Sequence, residues 1–182
     1  MRLFVGIALT SEVQEGLESW LSALRNTFPK LRWSEPKQWH VTVQFLGQTE
    51  EARYACVVEQ LRGLRAHPVS IQIDQPGFFE RAGIFHVSVL TAASLIELHD
   101  QAEAALATCG FEPELRPYSP HITLARRKGR GFSHDFEQLK KSVQKLPPMR
   151  LPSIQAKEFL LYQSFTDPSG SRYEVRERFP LM

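Results

Sequence analysis

A chain of 182 residues, 42 % hydrophobic and 23 % charged, can bury a core of its own and is neither disordered nor fibrous in composition. Its formal net charge of +2 excludes a strong whole-molecule field, so a surface that holds polyanions has to be local. No apolar run approaches the length of a membrane span, and Met1 to Leu9 reads as a buried strand rather than a signal peptide. Cys56 and Cys109 have no CxxC partners and read as two reduced thiols of a cytoplasmic protein, which disfavours a zinc site or a disulfide framework.

Leu3 to Leu9 is a near-continuous apolar run, as in a central strand. Thr10 and Ser11 offer an N-cap, Gln14 completes a Ser-x-x-Gln capping box, and Val13, Leu17, Leu21, Leu24 and Phe28 recur at helical spacing. That predicts a helix over about 11 to 27, stopped by Pro29. Trp39 to Leu46 alternates as a strand with Val41, Val43 and Phe45 on one face, and Thr49 is set to cap a second helix. Two strands, 69 to 73 and 84 to 90, flank a Pro76-Gly77 turn region. Ser94-x-x-Glu97 opens a third helix that Gly110 closes. Pro120 to Arg126 is a strand, 134 to 145 a weaker helix, and strands 154 to 163 and 171 to 179 are joined by the turn Asp167-Pro168-Ser169-Gly170. The order β-α-β-α-β-β-α-β-α-β-β, with no linker or low-complexity tract, describes one α+β unit over residues 1–182.

Two strands match: His40-Val41-Thr42-Val43 and His121-Ile122-Thr123-Leu124. Alternate strand residues share a face, so each strand presents an imidazole and a hydroxyl to one side and anchors itself with aliphatics on the other. Composition alone would give two such matches among the six His about once in a thousand chains. Imidazole titrates near ~6.5, so one ring can be neutral and another protonated at the same pH. A neutral His takes a proton from a nucleophile while a protonated one delivers a proton to the leaving oxygen, and Thr hydroxyls can donate to non-bridging oxygens.

The paired motifs resemble those of the 2H phosphoesterase superfamily. Their flanks are similar to its branch of bacterial and archaeal RNA 2',3'-cyclic phosphodiesterases, also called 2'-5' RNA ligases. The resemblance runs through Arg2-Leu3-Phe4-Val5-Gly6-Ile7, His40 to Gly47, Ser119 to Arg126, and the tail Leu160 to Ser164 with Gly170 to Tyr173; Gln44 stands where apolar or small residues are common. It implies two similar lobes, each an antiparallel sheet with helices packed outside, around a central cleft. It also implies hydrolysis of RNA 2',3'-cyclic phosphate ends to 2'-phosphomonoesters, with His40 as proton donor, His121 as proton acceptor, a reversible 2'-5' ligation, and no metal or cofactor. The substrate partners would be RNA ends and small nucleotides, and the protein a cytoplasmic monomer without membrane contact.

Around this pair, Arg126 resembles a phosphate-contacting position of the family, although strict alternation puts it with Leu124 unless the strand ends or bulges. Arg126, Arg127, Lys128 and Arg130 form the one dense basic cluster, a candidate lip for the RNA backbone that should also lower the pKa of His121 below that of His40. His86 shares a strand face with Ile84, Ser88 and Leu90 and reads first as a strand histidine satisfied by local hydrogen bonds, and as a base or ribose contact if that face lines the cleft; Phe45, Trp39, Phe78 and Phe79 read as core, with Phe45 kept as a substrate-binding candidate. His67, His99 and His134 read as surface residues, and no His has carboxylate or Cys partners at metal-ligand spacing. The competing readings are the same chemistry on ADP-ribose cyclic phosphate or a 2'-5' oligonucleotide, a non-catalytic RNA-binding module, and a metallohydrolase.

Overall fold

The structure, a computed structural model, describes residues 1–129, 131–167 and 170–182. In chain order its elements are β1 (Arg2–Ala8), α1 (Ser11–Thr27), β2 (Arg32–Trp33), a 3-10 turn (Pro36–Gln38), β3 (His40–Gln48), α2 (Glu51–Arg62), β4 (Val69–Ile71), β5 (Ile73–Phe79), β6 (Ile84–Val89), α3 (Ala93–Ala107), β7 (His121–Arg126), α4 (His134–Val143), β8 (Ile154–Ala156), β9 (Glu158–Asp167) and β10 (Gly170–Pro180). One antiparallel sheet has the order β10-β9-β1-β3, a second has β2-β7-β6-β5, and β4 pairs with β8. The two large sheets repeat one plan. An inner strand, β1 or β6, leads through a helix to the motif-bearing strand beside it, β3 or β7, and a further helix follows.

Apolar periodicity made these helices. α1 buries Val13, Leu17, Leu21 and Leu24, and α4 buries Phe136, Leu139 and Val143. One contiguous core runs between the lobes, joining Val41 and Val43 of β3 to Phe85 of β6 and Ile122 and Leu124 of β7. Both motif strands are therefore anchored from behind in the same apolar mass.

Several ends differ from expectation. Thr10 caps α1 by accepting from Val13 N–H, but Gln14 donates to the Leu9 carbonyl instead of completing a capping box. Thr49 is buried, with its hydroxyl on Gly47, so Glu50 takes the cap position of α2. The Ser94 hydroxyl accepts from Ser70 N–H and leaves the cap of α3 to Ala92. Pro76 and Gly77 lie inside β5; because β5 is an edge strand, a residue without N–H costs it no ladder bond there, and the reversal falls at Glu80–Gly83. β2 is a two-residue strand too short to show a period. Pro168 and Ser169, the centre of the expected last turn, lie outside the described residues.

The cysteines also need correcting. Cys56 and Cys109 form a disulfide, with Cα atoms 5.9 Å apart. The packing of α2 against α3 brings them together across 53 positions of sequence, a closure that spacing alone does not reveal. The cytoplasmic reading drew on free thiols and loses that support. No helix among the described residues is long and apolar enough to cross a membrane.

Candidate active site

On β3, His40 and Thr42 are half-buried while Val41 and Val43 are buried; on β7, His121 and Thr123 are half-buried while Ile122 and Leu124 are buried. Both strands then slip. Gly6 of β1 pairs with Thr42 but Val5 pairs with Gln44, leaving Val43 as an extra residue. His86 of β6 pairs with Thr123 but Phe85 pairs with Ala125, leaving Leu124 extra at the corresponding place. Such a bulge reverses the alternation beyond it. Gln44 and Ala125 are buried, and Phe45 and Arg126 swing out on the side of the histidines instead of following Val43 and Leu124. Phe45 is 64 % exposed there.

The two imidazoles are held alike. His40 Nδ1–H donates to the carbonyl of Gln38 and His121 Nδ1–H to that of Ser119, each at 2.8 Å. A carbonyl can only accept, so the proton of each neutral ring sits on Nδ1 and leaves Nε2 as the basic nitrogen. The pair is close enough for His121 to depress the pKa of His40.

Their surroundings differ. His40 stacks on Phe4 at 4.6 Å, meets the edge of Tyr173 at 4.9 Å and lies 5.6 Å from Tyr162. Gly6 keeps this seat open: a Cβ there would stand 3.0 Å from the Val41 carbonyl oxygen and 3.5 Å from His40 Cδ2. His121 is flanked by Phe79 at 4.8 Å and by a third imidazole, His86, at 5.3 Å. His86 is only 7 % exposed, stacks on Phe79 at 4.1 Å and leaves its Nδ1 buried without a partner. Gly77 admits that ring, since a Cβ would lie 2.8 Å from His86 Nε2.

Burial sets the titration of all three rings. It pushes His40 down to about 4 against the pull of the Gln38 carbonyl, with a smaller contribution from His121. It likewise pushes His86 down to about 4, aided by His121. His121 also falls, through burial first, opposed by its bond to Ser119 and helped by the charge of Arg126. The basic side chain thus acts in the expected direction, but burial outweighs it and the larger shift falls on His40, reversing the expected order.

Of the basic cluster, Arg126 is exposed on the histidine side, whereas Arg127 folds over Gly83 and its Nη2 donates to the Arg81 carbonyl. Lys128 is exposed and Arg130 lies outside the described residues. Trp39 is buried, as expected, with Phe78 and Phe79 half-buried. Four residues near the pair carry no site reading from sequence, Phe4, Tyr162 and Tyr173 around His40 and Tyr118, and a fifth, His99, reads there as surface; the side chains of Tyr118 and His99 donate to the carbonyls of Thr42 and Val43 at 2.8 Å each. His99 is therefore not the surface residue its position on α3 suggests. The one sequence signal for Tyr118 was its place three residues before His121.

Among the described residues neither threonine hydroxyl has a protein partner, and no three His, Cys, Asp or Glu side chains gather as a metal site. A hollow of about 520 Å³ lined by Tyr54, Val58, Arg62 and Glu177 lies on α2, apart from the histidines. The site thus brings to one side of the two motif strands two basic nitrogens, two hydroxyls, a guanidinium and an exposed aromatic ring.

Fold and site together define a class: a two-lobed α+β protein with one bulged His-x-Thr strand from each lobe. Residues 13–155, which include both motifs, match the family described as the 2'-5' RNA ligase superfamily, and the chain belongs to that superfamily. It is 28 % identical over 177 residues to the RNA 2',3'-cyclic phosphodiesterase of Methanocaldococcus jannaschii, covering 96 % of this chain and 98 % of that one. The fold is shared with a protein of Thermus thermophilus (TM-score 0.80, 24 % identity, 100 % and 98 % of the two chains). It is also shared with E. coli LigT (TM-score 0.79, 23 % identity, 99 % and 96 %).

Proposed function

We propose that residues 1–182 form a single bilobal enzyme that hydrolyses RNA 2',3'-cyclic phosphate ends to 2'-phosphomonoesters without a metal or cofactor. The observation that carries the reading is the matched pair of imidazoles, each with Nδ1 tied to a carbonyl and Nε2 left basic. His121 Nε2 takes a proton from the attacking water. As the water oxygen bonds to phosphorus, the bond from phosphorus to the 3' oxygen breaks, and His40 Nε2 delivers a proton to that leaving oxygen. Thr42 and Thr123 donate to the non-bridging oxygens, and Arg126 balances the charge they gain. Phe45 offers an exposed ring face for a base, and His86 lines the wall behind His121.

Both rings are neutral near pH 7 in the free protein, yet one must carry a proton for the reaction. The substrate phosphodiester is itself an anion, and its arrival between the rings raises their affinity for that proton. Stacking on the face of Phe4 favours a cationic ring at His40 and offsets part of the burial penalty there, while Arg126 disfavours one at His121. Run in the same direction with a 5'-hydroxyl in place of water, the same steps free the 3' oxygen and join RNA ends through a 2'-5' bond, and their reversal cleaves that bond. The reading places the protein with its RNA, as a monomer in the cytoplasm.

The test is incubation of purified protein with nucleoside 2',3'-cyclic phosphates in excess EDTA, with products separated from 2'- and 3'-monophosphate standards. The expected outcome is undiminished turnover to the 2'-phosphate. Turnover abolished by EDTA and restored by a divalent ion would overturn the mechanism, and binding without turnover would make the protein an RNA-binding module.

A further inference from the structure

β3 and β7 carry the same motif and the same bulge, but their outer sides are finished differently. β7 is flanked by β2, and the carbonyl of its bulged residue Leu124 accepts from Ser34 N–H at 2.8 Å, so backbone satisfies backbone. β3 is the edge of its sheet, and among the described residues no strand hydrogen-bonds to its outer side, although β7 lies close to it. A bulge disrupts the regular alternation of carbonyls, and here two successive ones, of Thr42 and Val43, receive donors from outside the sheet.

Those donors are side chains of the other lobe's connection. Tyr118 lies on the segment leading into β7, three residues before His121, and its hydroxyl donates to Thr42 O; burial holds this phenol well above its ordinary pKa, so it stays protonated. His99 lies on α3, the helix between β6 and β7, and its Nδ1–H donates to Val43 O. The two rings stack at 4.0 Å with planes only 4° apart, so they act as one plate.

We infer that Tyr118 and His99 are positioning residues of the reaction: they stand in for the missing neighbour strand of β3 and fix His40 and Thr42 against His121. The inference rests on the proposed function. Among the described residues the plate makes no ring contact with either imidazole of the pair. Its effect is on the angle at which β3 offers two side chains, and small misplacement of acid and base is costly to rate while leaving binding largely alone.

The experiment uses Tyr118→Phe, which removes one hydroxyl, His99→Phe, which keeps the stack but loses the donor, and His99→Asn, whose amide can reach the same carbonyl. The expected result is a kcat lowered about 10–10²-fold in the two Phe variants with KM within about threefold of wild type, and a kcat largely restored in His99→Asn. Loss of one hydrogen bond should lower the melting temperature by only about 2–4 °C. By NMR, the titration midpoint of His40 should rise from about 4 toward the free-imidazole value in both Phe variants as the loosened edge admits water. Wild-type kcat and an unmoved His40 midpoint, or activity lost only in proportion to folded protein, would overturn the inference. If wild-type protein turned over no cyclic phosphate, the proposed function would fall, and the NMR arm would still decide whether the plate holds His40.

Discussion

The two lobes reach the same motif by different neighbours. Across from Thr42 the first lobe has Gly6, and its imidazole lies in a box of Phe4, Tyr162 and Tyr173; across from Thr123 the second lobe has His86, and its imidazole faces that ring, Phe79 and Arg126. Just beyond matching bulges, one strand turns out an aromatic ring and the other a guanidinium. A near-symmetric scaffold thus offers a substrate two unlike sides. The backbone fixes where the nitrogens are, and the packed neighbours bias what each does. The two rings therefore differ in environment, although their hydrogen bonds to the backbone are the same.

The strongest way to break this comparison is to remove one ring at a time. His40→Ala and His121→Ala should each lower turnover by about 10²–10⁴, the usual worth of a positioned acid or base. A substrate whose leaving group needs no proton should restore rate to His40→Ala alone. Rescue of His121→Ala instead would reverse the roles and leave the two-histidine chemistry standing.

The residues beyond the bulges should differ next. Arg126→Ala removes a charge from the transition state and should lower kcat/KM about 10–10³-fold, as should loss of the hydroxyl in Thr42→Ala or Thr123→Ala. Phe45→Ala should act mainly on KM, by about tenfold, and more for nucleotide substrates than for a small cyclic phosphodiester without a base. Equal effects of Phe45→Ala on both substrates would deny it the stacking role.

These residues also mark where the sequence stopped being legible. Strand and helix faces followed from apolar periods, and the His-x-Thr pairs stood out because they repeat. The bulges did not, since Val43-Gln44 and Leu124-Ala125 look like ordinary continuations of a strand, and alternation put Phe45 with the core. The signal was present only indirectly, in an Arg that the family pattern wanted on the wrong face. The Cys56–Cys109 bond and the Tyr118–His99 plate depend on how α2, α3 and the two sheets pack, which no local window contains.

The pH dependence sharpens the comparison with a smaller effect. His40 and His121 are both depressed in the free protein, so both limbs of the kcat/KM profile move to the acid side, and its maximum should fall below pH 6.5. The profile of kcat, which reports the complex, should lie at higher pH because the bound phosphodiester favours protonation. A kcat/KM maximum at or above pH 7 would mean that burial does not govern these rings.

The smallest effect concerns the ring that only one lobe has. His86 is neutral in the fold and titrates at about 4 there against 6.5 when unfolded, because burial penalises its cation. A depressed histidine gives its stability in full above the unfolded value, and that stability drains away as pH falls from 6.5 toward 4. His40 is depressed in the same way and His121 in the same direction, so wild-type protein should lose resistance to urea as pH falls in three shares. His86→Phe should remove one share, making the fall in urea midpoint between pH 7 and pH 4 visibly shallower. At pH 7 it should cost little, since the change also removes the unpartnered Nδ1, a group of the kind that costs about 1–3 kcal/mol to bury. A variant as acid-sensitive as wild type would show that His86 is hydrated in solution, with its face open to the cleft.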